Sequence, residues 1–421
     1  MNVSINLLGS YSTNMRYFAT AVFFLFFSLT QVSAEPLLKP GDRVTFLGGT
    51  FVERMQIHGH FEAEIRSRLE GDIRFRNLGW AGDNVRGESR AVFGTVENGM
   101  ERLLRDMALT NPTVIIICYG GNEAHSGVAG IKQFKNNLET LTNNLDRFST
   151  RYIFVGPRPY ENLGPPLPAP NAYNTKLRHY SNAIEEHAAE KDSPFINLAA
   201  LKPHATNDLM TNRDSQGLWI LTDAEGLTSN GVHLTSTGYR QLASSFADAL
   251  KLPLKKIRLT TDGTSTGVSG VTVDRVNQTF TIRATSNQMP LPGLTQSGKS
   301  AGQSAILAIP DLPSKRYLLT CAGINLGIYS RGDLAQGVKI HLPVDAKQIT
   351  KLHDAIITKN MMFFHRHRPQ NETYLFLFRK HEQGNNAAEV PKFDAIVDDY
   401  DRRVYELSRQ RPFTISIKPA K

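Results

Sequence analysis

Between residues 41 and 253 the chain alternates short apolar runs with longer stretches whose apolar residues recur every three or four positions. The runs are Arg43-Val44-Thr45-Phe46-Leu47, Ile73 to Leu78, Thr113 to Cys118, Tyr152 to Val155 and Phe195 to Leu198. Between them fall Phe61, Ile65 and Leu69; Leu103, Leu104 and Met107; Phe134, Leu138, Leu141, Leu145 and Phe148; and Tyr180, Ile184 and Ala188. Strands separated by helix-length crossovers pair in parallel, so the pattern predicts an α/β fold: a parallel sheet with helices on both faces. Such a sheet carries its chemistry on the loops that leave the C-terminal ends of its strands.

The flanks differ in texture. Met15-Arg16, an apolar run from Phe18 to Leu29, and Val32-Ser33-Ala34 before Glu35 have the order of a signal peptide over residues 1–34, and the apolar run is too short for a spanning helix. A secreted or periplasmic location is therefore expected, with an α/β domain over residues 35–254. Residues 255–345 are rich in Thr, Gly, Ser and Val with period-two alternation and read as a small β module. Over residues 346–421 a helical period returns and ends in a strand-like Phe413-Thr414-Ile415-Ser416-Ile417, expected to pack back on the first domain. The formal charge of +9 is dispersed rather than gathered in a block. That suits a solvated basic surface, an anionic polysaccharide or an anionic membrane surface and gives no reason to expect nucleic acid. Cys118 and Cys321 read as core thiols or as a disulfide that export permits; neither adjoins a base.

Four candidate motifs follow strand-like runs. Gly48-Gly49 lets the backbone turn and present Thr50; Gly79-Trp80-Ala81-Gly82-Asp83 offers a bare N–H at Gly82; Gly120-Gly121-Asn122-Glu123 places an amide donor at Asn122; and Asn230-Gly231-Val232-His233 places an imidazole before a helix. A hydroxyl, a base and converging N–H donors are what acyl transfer requires. Each has a plainer reading: Thr50 as a helix N-cap, Asn122 closing its own loop, His233 as a structural histidine.

In order and spacing these segments resemble the SGNH, or GDSL-like, hydrolase family over roughly residues 41–250. The resemblance implies a flavodoxin-like parallel sheet (the SGNH hydrolase fold). It also implies Thr50 as nucleophile, His233 as general base, and Gly82, Asn122 and the Thr50 N–H as oxyanion donors. Asn230 stands where the family has the acid that orients the histidine. The stretch Arg76 to Trp80 and the segment Pro369 to Tyr374 also resemble large exported members from bacteria with complex envelopes, notably planctomycetes.

Two positions depart from the family. Its first block reads Gly-Asp-Ser, whereas this chain has Gly48-Gly49-Thr50, and the threonine β-methyl stiffens χ1 and crowds the approach to a carbonyl. Asn230 brings no negative charge to an imidazolium; Asp83, Glu123, Asp223 and Glu225 are the carboxylates available to replace it. The segment Phe363 to Asn386 is dense in Arg, His and Asn, and Arg366, Arg368 and Asn371, with Glu123, are expected to touch substrate. His365, His367 and His381 lack the helical His-x-x-x-His spacing or Cys partner of a zinc site, so no metal and no cofactor is expected. The chain therefore reads as an exported esterase acting on an acylated carbohydrate, small or polymeric. The competing readings keep the fold without turnover, as a glycan-binding or envelope protein.

Overall fold

Residue type and periodicity alternate along the first half because one sheet is buried on both sides. In the computed structural model, β1 (Arg43–Gly48), β2 (Arg74–Gly79), β3 (Val114–Cys118), β4 (Tyr152–Gly156) and β5 (Phe195–Asn197) form a five-stranded parallel sheet in the order β2-β1-β3-β4-β5. This is the flavodoxin-like arrangement, in which the order switches direction beside β1. The structure describes residues 35–149, 151–201, 210–213, 219–221, 226–252, 254–289, 293–294, 300–301, 303–343 and 345–420. The expected leader over residues 1–34 lies outside these, as do Asp223 and Glu225. Among the described residues no helix is long and apolar enough to cross a membrane.

Successive side chains on each strand face opposite ways, so residues two apart share a face. Val44, Phe46, Val114, Ile116, Ile153 and Val155 pack under α1 (Thr50–His58), α2 (His60–Arg68) and the later helix Ser236–Ala249. Leu47, Leu78, Ile115, Ile117 and Phe154 pack under α3 (Val96–Thr110), α4 (Ile131–Leu145) and α5 (Asn171–Glu190). All five residues of β3 are buried, so the central strand reads as an unbroken apolar run. Helix α3 starts at a capping box in which Thr95 and Asn98 satisfy each other's backbone N–H groups.

Residues 36–421 cluster into one compact unit. The β module holds a second five-stranded sheet, in the order Ile324–Ser330, Arg316–Cys321, Pro412–Pro419, Thr279–Ser286 and Val268–Val276. The closing strand thus sits in the middle of that sheet, antiparallel to both neighbours, rather than against the α/β sheet. Chain beyond the expected boundary at residue 345 completes the module, because Ile415 and Ile417 are fully buried in its core. Both cysteines are free and buried.

Two helices between these pieces, Ala346–His367 and Phe393–Ser408, bind the C-terminal half to the α/β domain through charge as well as apolar contact. Lys359 is wholly buried, and its ammonium donates to both carboxylate oxygens of Glu62 on α2 at 2.5 and 2.6 Å. Asp401 lies 3.8 Å away and takes Arg76 of β2 at 2.6 Å, while Arg66 donates to Glu62 at 2.9 Å. Burial pushes the Lys359 pKa down against the pull of Glu62 and Asp401. Removing one partner of such a group strands the others without water. Lys359→Ala is therefore expected to lower stability by about 3–5 kcal/mol in denaturant unfolding. The double variant Lys359→Met/Glu62→Gln should recover part of that loss, and an unchanged Lys359→Ala midpoint would contradict this account.

Candidate active site

Helix α1 starts directly under the sheet's C-terminal edge because β1 and β2 both end in glycine. A Cβ on Gly79 would run into the backbone of Val52 and Glu53, and one on Gly48 into the carbonyl of Cys118. Gly49 is the N-cap residue and supplies no side-chain cap, so Thr50 is the first helical residue and does not cap the helix. Its hydroxyl oxygen instead accepts the Gly82 N–H at 3.1 Å. Gly82 reaches this position with φ of +75°, in the left-handed region that favours glycine. The Thr50 N–H belongs to the first helical turn, whose amides have no partner within the helix.

The β2 loop is held from two further sides. Glu53, one turn after Thr50, accepts the Ala81 N–H with one carboxylate oxygen. Arg368, at the end of helix Ala346–His367, donates to that oxygen at 3.1 Å and lies 3.8 Å over the Trp80 ring. Arg102 and Arg90 stand at 4.7 and 5.3 Å from the same indole. Beneath it the buried Asp83 carboxylate takes Arg90 at 2.7 Å and the Tyr119 hydroxyl at 2.9 Å. The Asn122 amide donates one hydrogen to the Asp83 carbonyl at 3.1 Å, which leaves its second hydrogen for a ligand. Glu123 joins the two loops, accepting the Val85 N–H at 2.9 Å and the Gly120 N–H at 2.8 Å. Burial pushes its carboxyl up to about 7 against these backbone bonds.

Thr50, Asn122, Glu123 and His233 line one cavity of about 190 Å³, with Asp83, Phe51, Cys118, Tyr119, Arg158, Tyr160 and Tyr239 among its other walls. Burial pushes the Cys118 thiol up to about 12, away from the thiolate that a sulfur nucleophile needs. His233 arrives on a loop closed by Asn230, whose side-chain oxygen accepts the N–H groups of Val232 at 3.1 Å and His233 at 2.8 Å. Arg158 braces the same loop from the end of β4, donating to the Val232 carbonyl at 2.8 Å. Among the described residues no carboxylate bonds to the His233 ring: Asp83 and Glu123 are engaged as above. Burial lowers the His233 pKa, and the guanidinium groups of Arg54 and Arg158 lower it further.

The expected substrate contacts from the C-terminal segment fall elsewhere. Arg366 pairs with Asp394 at 2.8 Å, and Arg368 with Glu53. Asn371 starts a short helix, its carbonyl accepting Tyr374 and Leu375 N–H groups at 2.9 Å. None of the three lines the cavity. Among the described residues no group of His, Cys, Asp and Glu forms a metal cluster. A larger cavity of about 550 Å³, lined by Met289, Cys321, Ile324, Arg409 and Phe413, carries none of the motif residues. Arg54 and Arg158 were not expected at the site; Arg158 follows β4 directly in Gly156-Pro157-Arg158, where strand-end position alone marks it for inspection.

A lowered histidine pKa means the neutral form predominates at pH 7, the form that accepts a proton. In an NMR titration of imidazole-labelled protein, assigned by loss of the peak in His233→Gln, the His233 midpoint should fall below 6.5. A midpoint at or above that value would show that a negative group, not the two arginines, governs the ring.

Comparison with known proteins gives likenesses of fold and a match to one family. Over 92% of its length the chain superposes on 99% of a gut microbial diltiazem-metabolizing enzyme, with a TM-score of 0.64 and 15% identity, a likeness of fold. An acetylxylan esterase from Geobacillus stearothermophilus matches 52% of the chain and 99% of its own, with a TM-score of 0.35 and 15% identity. No curated protein matches the sequence. The sequence profile of the GDSL-like Lipase/Acylhydrolase family matches residues 32–241, the span that holds the sheet, Thr50, Gly82, Asn122 and His233. Over that span the chain belongs to the GDSL-like lipase/acylhydrolase family.

Proposed function

We propose that the protein hydrolyses an ester, the acyl group of an acylated carbohydrate, through a covalent intermediate on Thr50. The observation that carries this reading is the single cavity shared by Thr50, Asn122 and His233, with the Gly82 N–H on the Thr50 hydroxyl. His233 takes the hydroxyl proton as the Thr50 oxygen forms a bond to the ester carbonyl carbon. The Thr50 N–H, the Gly82 N–H and the free Asn122 amide hydrogen receive the negative charge that develops on the carbonyl oxygen. Collapse breaks the bond to the alcohol, which leaves with the proton from His233, and the acyl group stays on Thr50. Water, deprotonated by His233, then attacks the acyl carbon; collapse breaks the bond to the Thr50 oxygen, which takes the proton back from His233, and the acid is released.

The cost of this arrangement lies at the base. In a serine-protease triad, exchanging the acid for its amide slows turnover about 10⁴-fold. Here Asn230 spends its oxygen on backbone N–H groups, and two arginines act on the ring electrostatically, both disfavouring its charged form. Slow turnover is therefore part of the reading. The ester draws support from the family, and the sugar from Tyr160, stacked on Tyr173 at 4.9 Å beside the cavity, a surface suited to a sugar ring. Export rests on residues 15–34, and the planctomycete likeness on Arg76–Trp80 and Pro369–Tyr374.

Acetylated xylo-oligosaccharide and p-nitrophenyl acetate test the reading. Thr50→Ala and His233→Ala should each reduce kcat/KM by about 10³-fold or more, with the fold retained. Activity that survives both would sink the mechanism. Asn230→Asp should raise kcat and move the acid limb of the pH profile upward, because a carboxylate beside the imidazole favours its protonated form. If wild type and Thr50→Ser are both inert on every acyl ester, the protein keeps the family's fold as a binding module instead.

A further inference from the structure

The charges around the cavity do not balance. Its acidic wall residues are already engaged: Asp83 by Arg90 and Tyr119, Glu123 by the N–H groups of Val85 and Gly120. Arg158, which lines the cavity, makes no ion pair among the described residues, and neither does Arg54 outside the lining. Arg158 is anchored through one terminal nitrogen, to the carbonyls of Val232 at 2.8 Å and Gly231 at 3.4 Å. Among the described residues its Nε and its other terminal nitrogen have no partner. Glu161, the nearby carboxylate, accepts the Thr228 hydroxyl and makes no ion pair with it. Arg54 lies one turn after Thr50 on α1 and makes no hydrogen bond or ion pair among the described residues; its Nε is enclosed without an acceptor. Both guanidinium groups act electrostatically on the same two wall residues, His233 and Tyr239.

An enclosed arginine without an acceptor is costly, and a half-anchored fork beside a catalytic base is a preformed docking group. The planar guanidinium presents two parallel N–H groups at the spacing of the two oxygens of a carboxylate. The two arginines of the C-terminal segment cannot serve, since Asp394 and Glu53 already occupy them.

We propose that Arg158, backed by Arg54, forms an anion subsite beside His233, and that the ester this site takes is borne on an acidic sugar whose carboxylate docks there. The proposal rests on reading the cavity as an ester-hydrolase site and names its substrate class. The carboxylate offsets the charge of both arginines and, once bound, supplies negative charge near the imidazolium that no described side chain provides. Substrate would thereby assist the base.

The test compares O-acetylated methyl glucuronoside with O-acetylated methyl glucoside, which differ in the carboxylate alone. Wild type should favour the glucuronoside in kcat/KM by roughly tenfold or more, the size of a charge-assisted hydrogen bond. Arg158→Gln and Arg54→Gln should each bring the ratio toward one. A wild-type ratio near one, or a ratio that neither variant changes, overturns the proposal. Because Arg158 also braces the His233 loop, Arg54→Gln, which breaks no hydrogen bond, decides if Arg158→Gln does not fold. Should wild type hydrolyse neither ester, the hydrolase reading fails on its own, and calorimetric binding of methyl glucuronoside against methyl glucoside tests the subsite. Tighter binding of the glucuronoside, weakened in Arg54→Gln, supports it; equal binding or none overturns it.

Discussion

Helix α1 lies so close to the end of β2 that a single methyl group on Gly79 would collide with its backbone, and the cavity depends on that closeness. It brings the first turn of the helix against the β2 loop, where Thr50 receives the Gly82 N–H and Glu53 receives the Ala81 N–H. A helix set further out would leave both amides to water and the proposed oxyanion pocket without one wall. The same seat carries Arg54, one turn on, whose guanidinium acts electrostatically on His233. Residues far along the chain reinforce it. Arg368 stacks on Trp80 and pairs with Glu53, so the C-terminal helix presses the loop onto α1. The buried Glu62, Lys359 and Asp401 group holds that helix in place. The C-terminal half therefore serves the site by position, and the expected substrate contacts from Arg366, Arg368 and Asn371 give way to structural ones.

Electrostatics divides the site into two halves of different character. On the oxyanion side, donors are fixed by carboxylates: Glu53 on Ala81, Glu123 on Val85 and Gly120. On the base side Arg54 and Arg158 act electrostatically on the imidazole, which stays neutral at pH 7. A neutral imidazole is ready to accept a proton, yet the imidazolium that forms is disfavoured by the same two cations. On the proposed reading His233 lacks a described anionic partner, and as a base it would work best with a ligand that brings its own negative charge. This is the physical link between the departure at Asn230 and the proposed taste for acidic sugars.

The fold was legible because burial on both faces of a sheet and on one face of a helix leaves distinct periods, and the five strands emerged within a residue or two of their observed ends. The places of Thr50, Gly82, Asn122 and His233 were legible for a related reason, since each follows a strand or precedes a helix with small residues beside it. The role of Arg158 is not legible although it follows β4, because an isolated arginine carries no motif. The destinations of Arg366 and Arg368 were not legible at all: an arginine's partner is fixed by tertiary contact, here with residues 28 and 315 positions away. The last strand was recognised as a strand, but which sheet it joins depends on long-range pairing that local pattern does not encode.

The central claim is that Thr50 carries the acyl group. Protein mixed with p-nitrophenyl acetate, quenched in acid within the first turnover and digested for peptide mass spectrometry, tests it without any assumption about the natural substrate. The account predicts an acetyl group on the peptide containing Thr50, absent in Thr50→Ala and accumulating when His233 is replaced only to the extent that the first step still proceeds. Release of p-nitrophenol by the wild type with no acyl group on Thr50, or with the group on another residue, would contradict it.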